Sequence, residues 1–70
     1  MKANVLRGKI VENEMTIGQF CEAAGFARAT FDRKLSGRSE FDRNEISRII
    51  AVLRLTDEET RNIFFADGVA

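Results

Sequence analysis

Three points along this chain carry the same local signature, and together they commit it to short helices. Thr16 and Gln19, Asp42 and Glu45, and Thr56 and Glu59 stand three residues apart, the first side chain suited to cap a helix and the second able to reach back. In such a capping box each side chain accepts a hydrogen bond from the other residue's backbone N–H, satisfying donors that a helix start leaves orphaned. Two of the three add a hydrophobic staple, in which an apolar residue before the cap faces another in the first turn: Met15 with Phe20, and Phe41 with Ile46. Helices are therefore expected to begin near residues 17, 43 and 57.

Apolar spacing supplies the rest. Residues 2–13 read as a first helix with Leu6 and Ile10 on one face, flanked by Val5 and Val11. Residues 17–24 read as a second helix stopped by Gly25, and residues 28–36 as a third, with Phe31 and Leu35 inward and Gly37 as its stop. Residues 43–54 repeat Ile46, Ile49, Ile50 and Leu53 at helical spacing, and residues 57–66 form a fifth helix carrying Ile63, Phe64 and Phe65. No run alternates with a period of two over strand length, and no internal repeat or low-complexity tract is visible. The expected fold is all-α: five short helices packed compactly around one core, in a single domain spanning residues 1–70.

Composition narrows the function classes. A domain of this size buries only about 60% of its unfolded surface, and 44% hydrophobic residues against 31% charged are enough for one small core. With no histidine and a single cysteine, Cys21, no transition-metal site is expected and no intrachain disulfide can form. Cys21 reads as a small packed residue, since no histidine stands ready to activate it as a nucleophile. No apolar run approaches the ~20 residues of a membrane span and the N-terminus lacks a signal-peptide pattern, so a complete, cytoplasmic chain is expected. An enzyme is not: the sequence has no phosphate-cradling glycine loop and no paired carboxylates in an evident cleft. Neither a cofactor nor a small-molecule ligand is implied.

The net charge is zero, from 11 basic and 11 acidic residues, but it is unevenly spread. Residues 1–54 carry +3 and residues 55–70 carry −3, a dipolar arrangement that can turn one face to phosphates. Counts alone fit ordinary solvated charge almost as well.

The segment Thr16–Gly37, TIGQFCEAAGFARATFDRKLSG, concentrates the available chemistry. Two short helices meet at a tight turn at Gly25, and the second presents basic and small residues outward: a helix-turn-helix over about residues 17–36. Anchored on Gly25, it puts Phe20, Ala24, Phe26 and Phe31 at apolar positions and Cys21 where the two helices touch. With the RATFDRKLSG helix, the SEF that follows and the LTDEE near the end, the chain resembles the lambda-repressor-like, Cro-type DNA-binding domains, particularly small prophage regulators. The resemblance covers roughly residues 3–66. One departure is Lys34, at a position that is often apolar in that family; here Phe31 and Leu35 carry the inward face, which implies a small rotation of the third helix.

The resemblance implies that the third helix reads the major groove of a double-stranded DNA operator. Arg28, Ala29 and Arg33 would take base-reading positions, with Ala27 and Asp32 at their edges. An arginine can donate two parallel hydrogen bonds to guanine O6 and N7, worth ~1–3 kcal/mol of discrimination, and an alanine can meet a thymine methyl. Thr16, at the N-terminus of the second helix, and Arg38, Ser39 and Arg43, after the third, are the expected phosphate contacts. Each has a plainer reading. Arg28 and Asp32, four apart, suit a surface ion pair; Arg33 and Lys34 suit a solvated face; Thr16 is first of all a cap. Ile63, Phe64 and Phe65 cannot all face one side of a helix, so either they wrap the edge of the core or one is exposed as a homodimer contact, with the dimer forming on DNA. A competing function, favoured by the neutral net charge, is a helix-turn-helix that binds protein, as an antirepressor, repressor modulator or antitoxin.

Overall fold

All three capping boxes form with both of their hydrogen bonds. Thr16 Oγ1 accepts from the Gln19 N–H at 3.0 Å while Gln19 Oε1 accepts from the Thr16 N–H at 2.8 Å, and Asp42/Glu45 and Thr56/Glu59 repeat the exchange. The structure, a computed structural model, describes residues 1–65. Its helices are α1 (Ala3–Glu12), α2 (Ile17–Ala24), α3 (Arg28–Leu35), α4 (Arg43–Leu53) and α5 (Asp57–Thr60), the last continuing as a π-helical turn over Arg61–Phe65. The described residues contain no strand, and the fold is all-α and compact.

Helix bounds differ from the sequence expectation by a residue at the ends of α1, α3 and α4. The larger difference is in the fifth helix, which keeps α geometry only to Thr60 before widening, while residue 66 lies outside the described residues. Val11, expected to flank the buried face of α1, is 68% exposed. It follows the fully buried Ile10 by about 100° around the helix, which carries it off the core face.

One turn geometry recurs three times. Glu14, Gly25 and Arg54 each adopt a left-handed backbone with φ of 60°, 78° and 54°. The next residue, Met15, Phe26 or Leu55, donates its N–H back to the carbonyl of Ile10, Cys21 or Ile50 at 3.2, 2.8 and 3.1 Å. That bond satisfies a carbonyl orphaned at the helix end, as in a Schellman stop. The same apolar residue packs into or against the core, and the residue after it, Thr16, Ala27 or Thr56, is the extended N-cap of the next helix. Each connection is therefore a left-handed residue, an apolar anchor and a cap. The link from α3 to α4 shares the stop, with Gly37 left-handed at φ 92° and the Arg38 N–H donating to the Arg33 carbonyl at 3.1 Å, but Arg38–Phe41 then run as a longer loop to the Asp42 cap.

The core draws on α1 to α4 and on the turn that continues α5. Leu6 and Ile10 of α1, Phe20, Cys21 and Ala24 of α2, Phe31 and Leu35 of α3, Ile49 and Leu53 of α4, and Ile63 are all buried, joined by Phe26 and Leu55 from the turns. The chain's six phenylalanines form one connected series, from Phe20, Phe26 and Phe31 through Phe41 to Phe64 and Phe65, with successive ring centroids 5.3–6.4 Å apart. The start of α1 meets the turn after α5 where the Lys2 N–H donates to the Ile63 carbonyl at 2.8 Å.

Candidate nucleic-acid interface

The geometry of α3 follows from the residues on either side of it. Gly25 (φ 78°, ψ 32°) reverses the chain, Phe26 buries itself beneath the turn, and Ala27 in extended conformation starts the helix. Phe31 and Leu35, one turn apart, seat α3 on the core. At about 100° per residue, Ala29 and Arg33 then lie on the opposite side. All five residues expected to read bases, Ala27, Arg28, Ala29, Asp32 and Arg33, are exposed.

Their electrostatic situations differ. Arg28 Nε donates to both oxygens of Asp32, at 3.2 and 3.3 Å, so the ion pair suggested by their spacing is formed. Both side chains are more than half exposed, which limits the pair to about 0.3–0.5 kcal/mol. Arg33 has no side-chain partner among the described residues, and its charge is open to solvent. Lys34 does not belong to a solvated face as its plainer reading had it. It is half-buried, and its ammonium donates to both oxygens of Glu45 at 2.5 and 2.6 Å.

At the start of α3, Ala27 offers no side-chain cap, whereas Thr16, Asp42 and Thr56 cap α2, α4 and α5. The first amides of α3 therefore keep their donors, at the positive end of the helix dipole and among exposed residues. Thr16 uses its hydroxyl oxygen as acceptor within the capping box, which leaves the hydroxyl proton as an outward donor. Arg38 and Arg43 are exposed and their side chains have no partner among the described residues, and Ser39 between them is half-buried.

Two contacts beside the turn motif have no signal in the sequence. Lys34 and Glu45 stand eleven residues apart, and Glu45 is already accounted for as a capping residue. The Arg48 guanidinium lies 4.9 Å from the centroid of the Phe26 ring, a cation–π contact laid over the α2–α3 turn. Cys21 is buried at 3% exposure beneath this region, and burial pushes its thiol pKa upward, away from the reactive thiolate.

The C-terminal apolar triplet divides. Ile63 is fully buried and serves the core, Phe64 is half-buried, and Phe65 is 51% exposed. Phe64 and Phe65 border an open groove of ≈ 700 Å³ whose walls include Leu35, Phe41 and Ile46. Among the described residues no group of three potential metal ligands is gathered, and no helix is long and apolar enough to cross a membrane. No curated protein and no solved structure matches this sequence. One family model does, over residues 3–67, and the chain accordingly belongs to the DUF739 family, described as proteins of unknown function.

Proposed function

We propose that this chain is a sequence-specific, double-stranded DNA-binding regulator that reads the major groove with α3, in the manner of a lambda-repressor-like prophage repressor or Cro-type switch protein. The observation that carries the reading is the outer face of α3. Opposite Phe31 and Leu35 it presents the small Ala29 and Arg33, which is unpaired among the described residues, and it is entered through an uncapped first turn. Arg33 supplies a fork for guanine O6 and N7, and Ala29 a surface for a thymine methyl. Arg28 and Asp32 read as a unit, since each holds the other in place. Thr16, Arg38, Ser39 and Arg43 supply the phosphate contacts that fix register. Regulation in this reading follows from occupying an operator in the cytoplasm. A homodimer through Phe65 and the groove beside it would space two copies of α3 by about 34 Å on a palindromic site.

A second reading, a module that binds a protein such as another repressor, draws on a specific observation. Two of the three cations on α3 are already paired within the chain, and an apolar groove lies beside its C-terminal end.

Binding to DNA fragments flanking the gene, measured at two or more salt concentrations for wild type, Arg33→Ala and Arg28→Ala, separates the two. Groove reading predicts that log K falls with log salt at a slope of about −4 to −5, for ~4–6 neutralised phosphates. Arg33→Ala should lose about 5- to 150-fold at one fragment, the equivalent of ~1–3 kcal/mol. Folded wild-type protein that binds no fragment in preference to bulk DNA would overturn the DNA reading in favour of the protein-binding one.

A further inference from the structure

α3 touches the core through Phe31 and Leu35, two buried side chains one turn apart. Two such points define a line, and roll about that line is the motion of the helix they restrain least. Arg28 and Asp32 stand on one flank of that line, but they pair only with each other, and a bond within α3 cannot resist its rotation. Lys34 stands on the other flank, about 80° from the line, and reaches a different helix.

The far end of that contact is itself fixed. The Lys34 ammonium lies 2.5 and 2.6 Å from the two oxygens of Glu45, both side chains are about 15% exposed, and the ammonium is 6.0 Å from the centre of the Phe41 ring. Glu45 Oε1 also accepts from the Asp42 N–H at 2.9 Å, the bond that closes the capping box of α4. The carboxylate is thus tied to the first turn of α4 and does not follow a moving lysine. A charged bond to a fixed acceptor is short, directional and stronger than one to a neutral group.

We propose that Lys34 is a positioning residue: its bond to Glu45 sets the roll of α3 against α4, and with it the angle at which Ala29 and Arg33 are presented, while Lys34 itself touches no phosphate. The consequence for recognition rests on the DNA-binding reading; the consequence for helix orientation does not. Side-chain atoms lie about 6 Å from a helix axis, so a roll of about 20° moves them by about 2 Å. A displacement of that size takes a donor out of hydrogen-bond range of a base edge.

The test combines Lys34→Met, which keeps the stem and removes the charge, with Lys34→Arg, which restores a cation. Residual dipolar couplings on the free proteins report the orientation of α3 relative to α4, and DNA titrations across salt report specificity and phosphate count. In Lys34→Met, α3 should turn by about 20°, and the ratio of specific to non-specific affinity should fall about tenfold, the scale of one lost base contact. The salt slope should stay at the wild-type value, and Lys34→Arg should recover both orientation and ratio. A slope reduced by about 0.9 would make Lys34 a phosphate ligand, and an unturned α3 would end the positioning role; either overturns the proposal. Should Lys34→Met fail to fold, Glu45→Gln takes its place, since glutamine serves the capping box without the charge. A wild-type protein with no preferred DNA sequence would defeat the DNA reading alone, and the couplings would still decide whether Lys34 orients α3.

Discussion

Alanine placed at two glycines should move stability in opposite directions, although neither new methyl group meets another atom. Gly8 lies inside α1 and Gly25 at the left-handed stop after α2, and an added Cβ has nothing within 4 Å at either position. Packing and clash are therefore removed as explanations, and backbone conformation alone remains. In the helical interior, glycine wastes chain entropy, so Gly8→Ala should stabilise by about 0.5–1 kcal/mol. At Gly25, with φ 78° and ψ 32°, alanine must take up a left-handed conformation that costs about 1–2 kcal/mol. The stiffer unfolded chain returns about 0.4–1 kcal/mol of this, leaving a net loss near 1 kcal/mol. The two variants should differ by about 2 kcal/mol, or about 8–16 °C in melting temperature for a domain this small. Glu14, which holds φ 60° without being glycine, supplies the converse: Glu14→Gly should stabilise by about 0.5 kcal/mol. Urea denaturation followed by far-ultraviolet circular dichroism measures all three. If Gly25→Ala were as stable as wild type, the left-handed stop would not be what turns the chain between α2 and α3; a less stable Gly8→Ala would refute the entropy argument for α1.

Two further perturbations test the electrostatics and the start of α3. The carboxyls of Glu59 and Glu45 are held below their ordinary 4.5, chiefly by hydrogen bonds from Lys9 and Lys34 respectively. A folded-state pKa below the unfolded one gives stability that is present above pH 4.5 and lost as pH falls through the folded values. Lys9 is raised above 10.5, first by its hydrogen bond to Glu59, so its share is present below pH 10.5 and lost as pH rises through the folded value. Denaturation midpoints against pH should therefore decline on both sides, and Glu45→Gln should flatten the acid limb; an unchanged limb would remove the Lys34–Glu45 pair from the account. Ala27→Thr installs the cap that α3 lacks and should stabilise by about 1 kcal/mol. If the first amides of α3 face DNA, the same variant should bind DNA less tightly despite being more stable; tighter binding would argue against that orientation.

Most of this architecture was legible because it is encoded between near neighbours. The helix starts at Ile17, Arg43 and Asp57 are each announced by two side chains three residues apart, which satisfy one another's backbone whatever the rest of the chain does. The stops at Gly25 and Gly37 are announced by glycine's freedom to turn left-handed. Glu14 and Arg54 perform the same reversal with no residue-level signal, because tertiary structure imposes it. Met15 and Leu55 are drawn to the core immediately afterwards, and the helix-end carbonyls of Ile10 and Ile50 accept their amides. The trace that such turns do leave is the apolar residue just before a cap, since Met15 and Leu55 anchor the stop of one helix and precede the start of the next. The partnership of Lys34 with Glu45 left no trace, because it depends on how two helices cross rather than on spacing along either one.

The α2–α3 turn is not set apart by its geometry, which the α1–α2 and α4–α5 turns share. Two residues distinguish it. Glycine at position 25 makes this reversal the least strained of the three, and alanine at position 27 gives up the cap that Thr16 and Thr56 provide in the other two. A low-strain turn fixes how α3 leaves α2, while the missing cap leaves its first amides without an internal acceptor, a cost of about 1 kcal/mol that folding alone does not require. Local rules are expected to yield where a sequence serves something besides its own stability. The one uncapped start among α2 to α5 belongs to the helix whose outer face carries Ala29 and Arg33, the latter unpaired among the described residues, and Ala27→Thr should therefore trade binding for stability.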